Sequence, residues 1–298
     1  MSISNTIKIW AGQIRAPFLL LAVILVLIGG AVAHNDGSFN FLLFSLCLLG
    51  AVLAHASVNI FNELSDHRTG IDSRTRRTPF SGGSGTLQAG HLTVKQVTVA
   101  AWGTLLAAFI IGVYLTLVSG WMILILAIIG GLVSIFYTSH ITRFALGELA
   151  SGICLGSLVV VGTYYAMTGQ VSVEVILVSI PPGLLTALLL FLNEFPDLEA
   201  DKAGGRKHLL ILLGRKKAAV VYVLSLAACY FFILLMVLTG AFPAVILISL
   251  LTVPLAVKAA RTTLKHHDAF EEMIPAQGAN VGIVLGTDLL IAIAYFIH

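Results

Sequence analysis

Apolar residues run along this chain in long blocks separated by short polar or charged stretches. Blocks of about 17 to 25 residues suffice to cross a hydrocarbon core. Such blocks fall at 18–34, 40–61, 97–117, 121–138, 145–166, 173–192, 217–237, 241–259 and 279–297. The pattern predicts an all-α polytopic membrane bundle of nine transmembrane helices, in one domain spanning 1–298. The composition agrees: 58% of the 298 residues are hydrophobic and 10% are charged, against about 25% charged in soluble domains. A polar, amphipathic start from Ser2 to Arg15 precedes the first block, with no small-residue cleavage site, so the first helix is expected to remain in the protein. Cys47, Cys154 and Cys229 are widely spaced inside predicted spans and read as packing thiols, not as zinc ligands.

Charge adds a direction to this bundle. Lys8 and Arg15 precede the first block; Arg68, Arg74, Arg76, Arg77 and Lys95 follow the second, and Arg143 follows the fourth. The rest lie after block six (Lys202, Arg206, Lys207, Arg215, Lys216, Lys217) or after block eight (Lys258, Arg261, Lys265), which accounts for all 17 Lys and Arg. The intervening loops near His34–Asn40, Ser119–Gly120, Gly169–Ser172 and Thr239–Gly240 carry none. Cationic loops stay on the cytoplasmic side, so the amino terminus is expected inside and His298 outside. Since the basic residues follow topology and contact with headgroups, they suggest a membrane lipid partner and no nucleic acid.

Carboxylates contribute little to topology, yet here they gather in two clusters. The first ends block two and reads Asn62-x-x-x-Asp66-x-x-x-Gly70-x-Asp72. Asn62 and Asp66 share a helix face, and a left-handed end at Gly70 would return Asp72 to the same side. The second ends block six as Asn193-x-x-x-Asp197-x-x-x-Asp201. Asn62 and Asn193, like Asp66 and Asp197, are 131 residues apart. That offset predicts two pseudo-repeated four-helix halves plus one helix, with both clusters on one face. Their hard oxygen donors suit Mg2+ shared with phosphate groups. Solvated pairing with loop Lys and Arg is the competing account, disfavoured because polar groups at membrane depth are costly unless they serve a cavity.

The two aspartate motifs resemble those of the UbiA superfamily of intramembrane prenyltransferases. Arg15-Ala16-Pro17, Phe136-Tyr137-Thr138 with Arg143, Gly147-Glu148 and the run Asp201 to Lys207 extend the resemblance over most of the chain. Gly70-x-Asp72, Gly147-Glu148-Leu149 and the stretch Gly162 to Gly169 are most similar to the branch that prenylates 1,4-dihydroxy-2-naphthoate for menaquinone. Two departures bear on the acceptor: His208 stands where many members carry Thr, and Ser139-His140-Ile141-Thr142 replaces a proline-containing stretch.

The resemblance implies Mg2+-dependent transfer of a polyprenyl group from polyprenyl diphosphate to an aromatic acceptor. It implies metal ligation by Asn62, Asp66, Asp72, Asn193, Asp197 and Asp201, with the four aspartates as the catalytic set. Arg77, Arg143, Lys202 and Arg206 are the expected diphosphate contacts, because Arg suits bidentate phosphate recognition. Tyr137 and Tyr164, with Phe61, Tyr165, Phe191 and Phe195, are candidates to stabilise an allylic cation through their ring faces; ordinary packing is the competing account of each. Glu148 is a candidate to orient or deprotonate the acceptor, or simply a carboxylate stabilised at a helix amino end. The Ser81–Gly85 run reads as a phosphate-facing lid or a plain connector. Other quinone precursors, phenazines and glycerol-phosphate lipids are alternative acceptors. A lipid or ion transporter is the reading from a different class.

Overall fold

The computed structural model describes residues 3–138 and 140–298. Met1, Ser2 and Ser139 lie outside the described residues, and with them the first residue of the amphipathic start and of the Ser139–Thr142 stretch. Among the described residues every regular element is helical. Helix α1 (Ile3–Gln13) precedes a 3-10 turn, Ala16–Phe18, that runs into α2 (Leu19–Asn35). Next come α3 (Phe41–Thr69), α4 (Val94–Ser119) and α5 (Met122–Phe136). A continuous rod is built from α6 (Gly147–Ala150), a π-helical segment Ser151–Ser157 and α7 (Leu158–Thr168). The chain closes with α8 (Val173–Ala203), α9 (Leu209–Leu213), α10 (Arg215–Leu238), a 3-10 segment Ala244–Thr252 leading into α11 (Val253–His266), and α12 (Phe270–Ile297).

Side chains fix several of these ends. The Asn40 carboxamide oxygen accepts from the Leu43 amide at 3.1 Å and starts α3. Thr93 and Gln96 form a reciprocal capping box at α4, and the Ser172 hydroxyl accepts from the Val175 amide at 3.1 Å to start α8. Gly70, at φ 72°, ends α3 in the predicted left-handed turn.

The core lies between α2, α8, α10 and α12. Helix α2 is largely buried and packs on α3, α7 and α12. Where the π-helical segment meets α8 the backbones touch: a Cβ on Gly156 would fall 2.6 Å from the Gly183 Cα, and one on Gly152 would fall 2.7 Å from the Gly183 carbonyl oxygen. Pro181 and Pro182 interrupt the α8 ladder at this level. Ser157 there donates its hydroxyl to the Ser179 carbonyl at 2.8 Å. This approach brings the start of α6 beside the last turns of α8. Of the polar residues predicted in span nine, Asn280 is paired, accepting from the Tyr222 hydroxyl at 2.9 Å and donating to the Leu188 carbonyl at 3.1 Å. Thr287 pairs with Thr252 at 2.7 Å. The buried Asp288 carboxylate has no hydrogen-bond partner among the described residues.

The sequence predicts nine crossings, and eight described helical stretches are long and apolar enough to make one. The fourth run forms α5, which has 15 residues, or about 22 Å at 1.5 Å per residue, short of a hydrocarbon core of about 30 Å. The helix stops at Phe136 because the chain turns there to deliver Tyr137 and Thr138 to the neighbouring helices. Tyr137 donates to the Gly147 carbonyl at 3.3 Å, and Thr138 to the Asn62 carboxamide oxygen at 2.8 Å.

The close contact of the π-helical segment with α8 makes a packing prediction. Gly156→Val is expected to destabilise the detergent-solubilised protein by about 1–3 kcal/mol, the usual cost of overpacking. Gly130→Ala, where an added Cβ meets nothing within 4 Å, should leave the melting temperature unchanged. Fluorescence-detected thermal unfolding of both variants checks the pair.

Candidate active site

The two acidic clusters meet. Asn62 and Asp66 occupy the last turns of α3, Asn193, Asp197 and Asp201 the last turns of α8, and Arg206 in the following loop reaches between them. One Arg206 nitrogen donates to Asp201 Oδ1 at 2.7 Å; the other donates to Asp66 Oδ1 and, at 3.2 Å, to Asn62 Oδ1. Burial works to lower the Arg206 pKa, but the Asp66 and Asp201 carboxylates overcome it and hold the group above its ordinary value. Asp72 comes back beyond Gly70 as expected and accepts from the Gln88 amide at 2.9 Å. Burial, reinforced by the Asp66 and Glu63 charges, pushes the Asp72 carboxyl up to about 7, against the pull of Gln88 and Arg15.

These residues line one cavity of about 170 Å3, together with Asn193, Asp197, Tyr137 and His208. Asn193 accepts only a long contact, 3.5 Å, from Gln277, and Asp197 Oδ1 is buried without a hydrogen-bond partner among the described residues. A hard-oxygen donor set with one carboxylate oxygen left unsatisfied inside the cavity fits a divalent cation such as Mg2+.

The glycine-rich segment forms one wall and is tied down. The Ser84 amide and hydroxyl donate to the buried Glu63 carboxylate, at 2.9 and 2.7 Å. Arg15 donates to the same carboxylate at 3.0 Å. Arg15 adopts a left-handed backbone at φ 50°, an uncommon conformation for a residue other than glycine. Gly83, at φ 71°, sits so close that a Cβ would fall 2.6 Å from Asp72 Oδ1.

Not all expected contacts reach this cavity. Arg77, Arg143 and Lys202 are exposed and do not line it. Arg77 instead donates to the Gly82 carbonyl at 3.2 Å and braces the glycine-rich segment from outside. Tyr164 is at the opposite end of the bundle, donating at 2.6 Å to Asp36 in the turn before α3. The start of α3 is about 37 Å from Asp66 by helical rise, so Tyr164 cannot share the site. Phe191 and Phe195 pack in the core, as Tyr165 does in a second cluster, and Phe61 stacks edge-on against Trp102 at 5.2 Å. Tyr137 is the one expected aromatic that lines the cavity; Phe18 and Phe80 line it unforeseen.

Glu148 stands just behind the cavity wall, accepting from the Leu209 amide at 2.7 Å. It forms a buried group with Glu194 and His208, whose ligand atoms lie within 4.8 Å of one another. His208 stands 3.3 Å from both Glu194 and Asp201. Two carboxylates and an imidazole are also a donor set that suits a divalent cation. Sequence reasoning assigned no role to Glu63, Gln88 or Glu194. Glu63 and Glu194 do each follow a motif Asn directly, which was the available signal.

A second, larger cavity of about 510 Å3 opens beside the first, between α3, α4, α5 and α7, and its lining is almost wholly apolar. An acidic pocket that shares lining residues with an apolar chamber suits an amphiphile with an anionic head and a hydrocarbon tail. Residues 22–273 match the profile of the UbiA prenyltransferase family. The chain belongs to the UbiA prenyltransferase family. It is thus an integral membrane enzyme that transfers prenyl groups. It is 32% identical over 257 residues to the 1,4-dihydroxy-2-naphthoate octaprenyltransferase of Bacillus subtilis, covering 84% of this chain and 80% of that one. Among UbiA structures, a homolog from Aeropyrum pernix K1 superposes with a TM-score of 0.71 at 17% identity, covering 93% of this chain and 98% of that one. A homolog from Archaeoglobus fulgidus, bound to GPP and Mg2+, gives 0.62 at 13% identity, covering 95% and 99%.

The raised Asp72 pKa sets a pH dependence. A cation must displace the Asp72 proton, so Mn2+ affinity, titrated in the purified protein, should rise at least about tenfold from pH 6 to pH 8. Asp72→Asn should bind more weakly and show a smaller rise.

Proposed function

We propose that this UbiA-family enzyme transfers a polyprenyl group from its diphosphate to 1,4-dihydroxy-2-naphthoate, using Mg2+ held by Asn62, Asp66, Asp72, Asn193, Asp197 and Asp201. The observation that carries the reading is the junction of two aspartate-bearing helix ends in one cavity that borders an apolar chamber. Mg2+ is favoured by the hard-oxygen donors and by the Archaeoglobus homolog bound to GPP and Mg2+. The naphthoate acceptor is favoured by the similarity to the Bacillus octaprenyltransferase.

Mg2+ held by these residues would supply charge neutralisation and Lewis-acid chemistry toward the diphosphate leaving group. The chain's own groups do the rest. Asp66, Asp72, Asp197 and Asp201 hold the donor head at the helix ends. Arg206 has its guanidinium already placed between Asp66 and Asp201, so a small swing brings it onto the diphosphate oxygens as negative charge builds there. Tyr137, with Phe18 and Phe80, supplies aromatic walls that keep water from the allylic carbon. The chamber between α3 and α5 takes the tail, whose methylenes gain nothing from water.

Residues 1–298 form a single transmembrane prenyltransferase domain in this reading. The 131-residue offset of the two motifs supports two four-helix halves followed by α12. The Lys and Arg distribution supports a cytoplasmic amino terminus and active site in the plasma membrane.

Asp66→Ala and Asp197→Ala are each expected to cut magnesium-dependent transfer by about 1,000-fold or more while inserting into membranes normally. Assay of labelled prenyl diphosphate with a panel of acceptors checks both halves of the reading. Normal metal dependence in either variant would remove the site assignment. Product from a phenazine or glycerol phosphate, with none from the naphthoate, would replace the acceptor.

A further inference from the structure

The acidic cavity and the apolar chamber share three lining residues, His55, Val58 and Leu155. The three stand at the border of the two spaces, here termed the throat. A prenyl diphosphate with its head among the aspartates and its tail in the chamber would pass this border, with its reacting carbon, next to the head, on the acidic side. His55 is the polar member of the three. It lies seven residues before Asn62 on α3, with Asn59 and Asp66 on the same stripe at four- and three-residue steps. That separation is about 10 Å along the helix, the length of a diphosphate's reach plus one aromatic ring.

The His55 imidazole is buried and has no hydrogen-bond partner among the described residues, although it faces a cavity. Unlike the fully buried nitrogens of His208, those of His55 open onto the cavity, whereas Asn59, one turn on, is already engaged, donating to the Ile14 carbonyl at 2.9 Å. A packing role would be served as well by leucine, in surroundings made of Ala54, Val58 and Leu155.

We propose that His55 is the acceptor-holding residue, its imidazole hydrogen-bonding a ring hydroxyl of the aromatic acceptor so that the adjacent ring carbon faces the allylic carbon in the throat. The proposal rests on the prenyl-transfer reading above. It assigns His55 a contact with the acceptor and none with the diphosphate or metal.

The test uses the purified full chain in lipid nanodiscs with magnesium, labelled prenyl diphosphate and 1,4-dihydroxy-2-naphthoate. His55→Leu should lower kcat/KM for the acceptor about 30-fold, as loss of a buried hydrogen bond does. The fall in kcat/KM for the acceptor should exceed any change in kcat/KM for the prenyl diphosphate, whose tail passes the same residue. His55→Gln, which keeps a donor and an acceptor at similar reach, should recover most of the loss. With a naphthoate lacking the contacted hydroxyl, wild type and His55→Leu should become equally slow. Wild-type acceptor kinetics in His55→Leu, a parallel rise in both KM values, or no rescue by glutamine relative to leucine would each overturn the assignment of His55 alone. Failure of the wild-type protein itself to turn over prenyl diphosphate would remove the prenyl-transfer reading, and this proposal with it.

Discussion

Carboxylates brought together inside a membrane bundle repel each other and lose the hydration that would make their charge tolerable. Asp66, Asp72, Asp197 and Asp201 share one cavity, and the guanidinium of Arg206 bonds to Asp66 and Asp201 and bridges them. Arg15, close by, is already engaged by Glu63. The cavity therefore holds more negative than positive charge, which adds to burial in raising the Asp72 carboxyl, and one Asp197 oxygen is left without a partner among the described residues. An arrangement of this kind is stable only if the surrounding helices over-determine it, and it gains most when a multivalent cation enters.

The helices around it supply that rigidity. The close backbone contact at Gly152, Gly156 and Gly183 packs the rod that begins at α6 against α8 and so holds Glu148 beside Glu194 and His208. The early stop of α5 frees Thr138 to hold Asn62. On the other wall, the Glu63 carboxylate gathers Ser84 and Arg15, turning a glycine-rich segment that would be loose on its own into a fixed surface. Glycine is needed at position 83 because the Asp72 carboxylate occupies the space of a side chain.

The helical class, the two acid motifs and the turn at Gly70 were legible in the sequence, because each depends on local spacing: a four-residue step defines a helix face and a glycine defines its end. Arg206 was legible as a residue type near a motif, but its bridge to Asp66 depends on a contact across 140 positions, which no local pattern encodes. The same limit hid Gln88 beside Asp72 and the Glu63–Ser84 tie. Tyr164 failed for a different reason. The predicted span 145–166 already has Glu148 near one end and Tyr164 near the other, and a rigid rod of that length cannot bring both to the same cavity; the motif likeness outweighed helix geometry that was in plain view.

Helix α5 borders the apolar chamber and is too short to match a bilayer of ordinary thickness. Lipid next to it must compress or its chains must tilt, a hydrophobic mismatch that costs a fraction of a kcal/mol per ångström. A prenyl donor dissolved in the membrane would cross this thinned flank to reach the chamber, so the enzyme's supply of donor would respond to the thickness of the membrane that houses it.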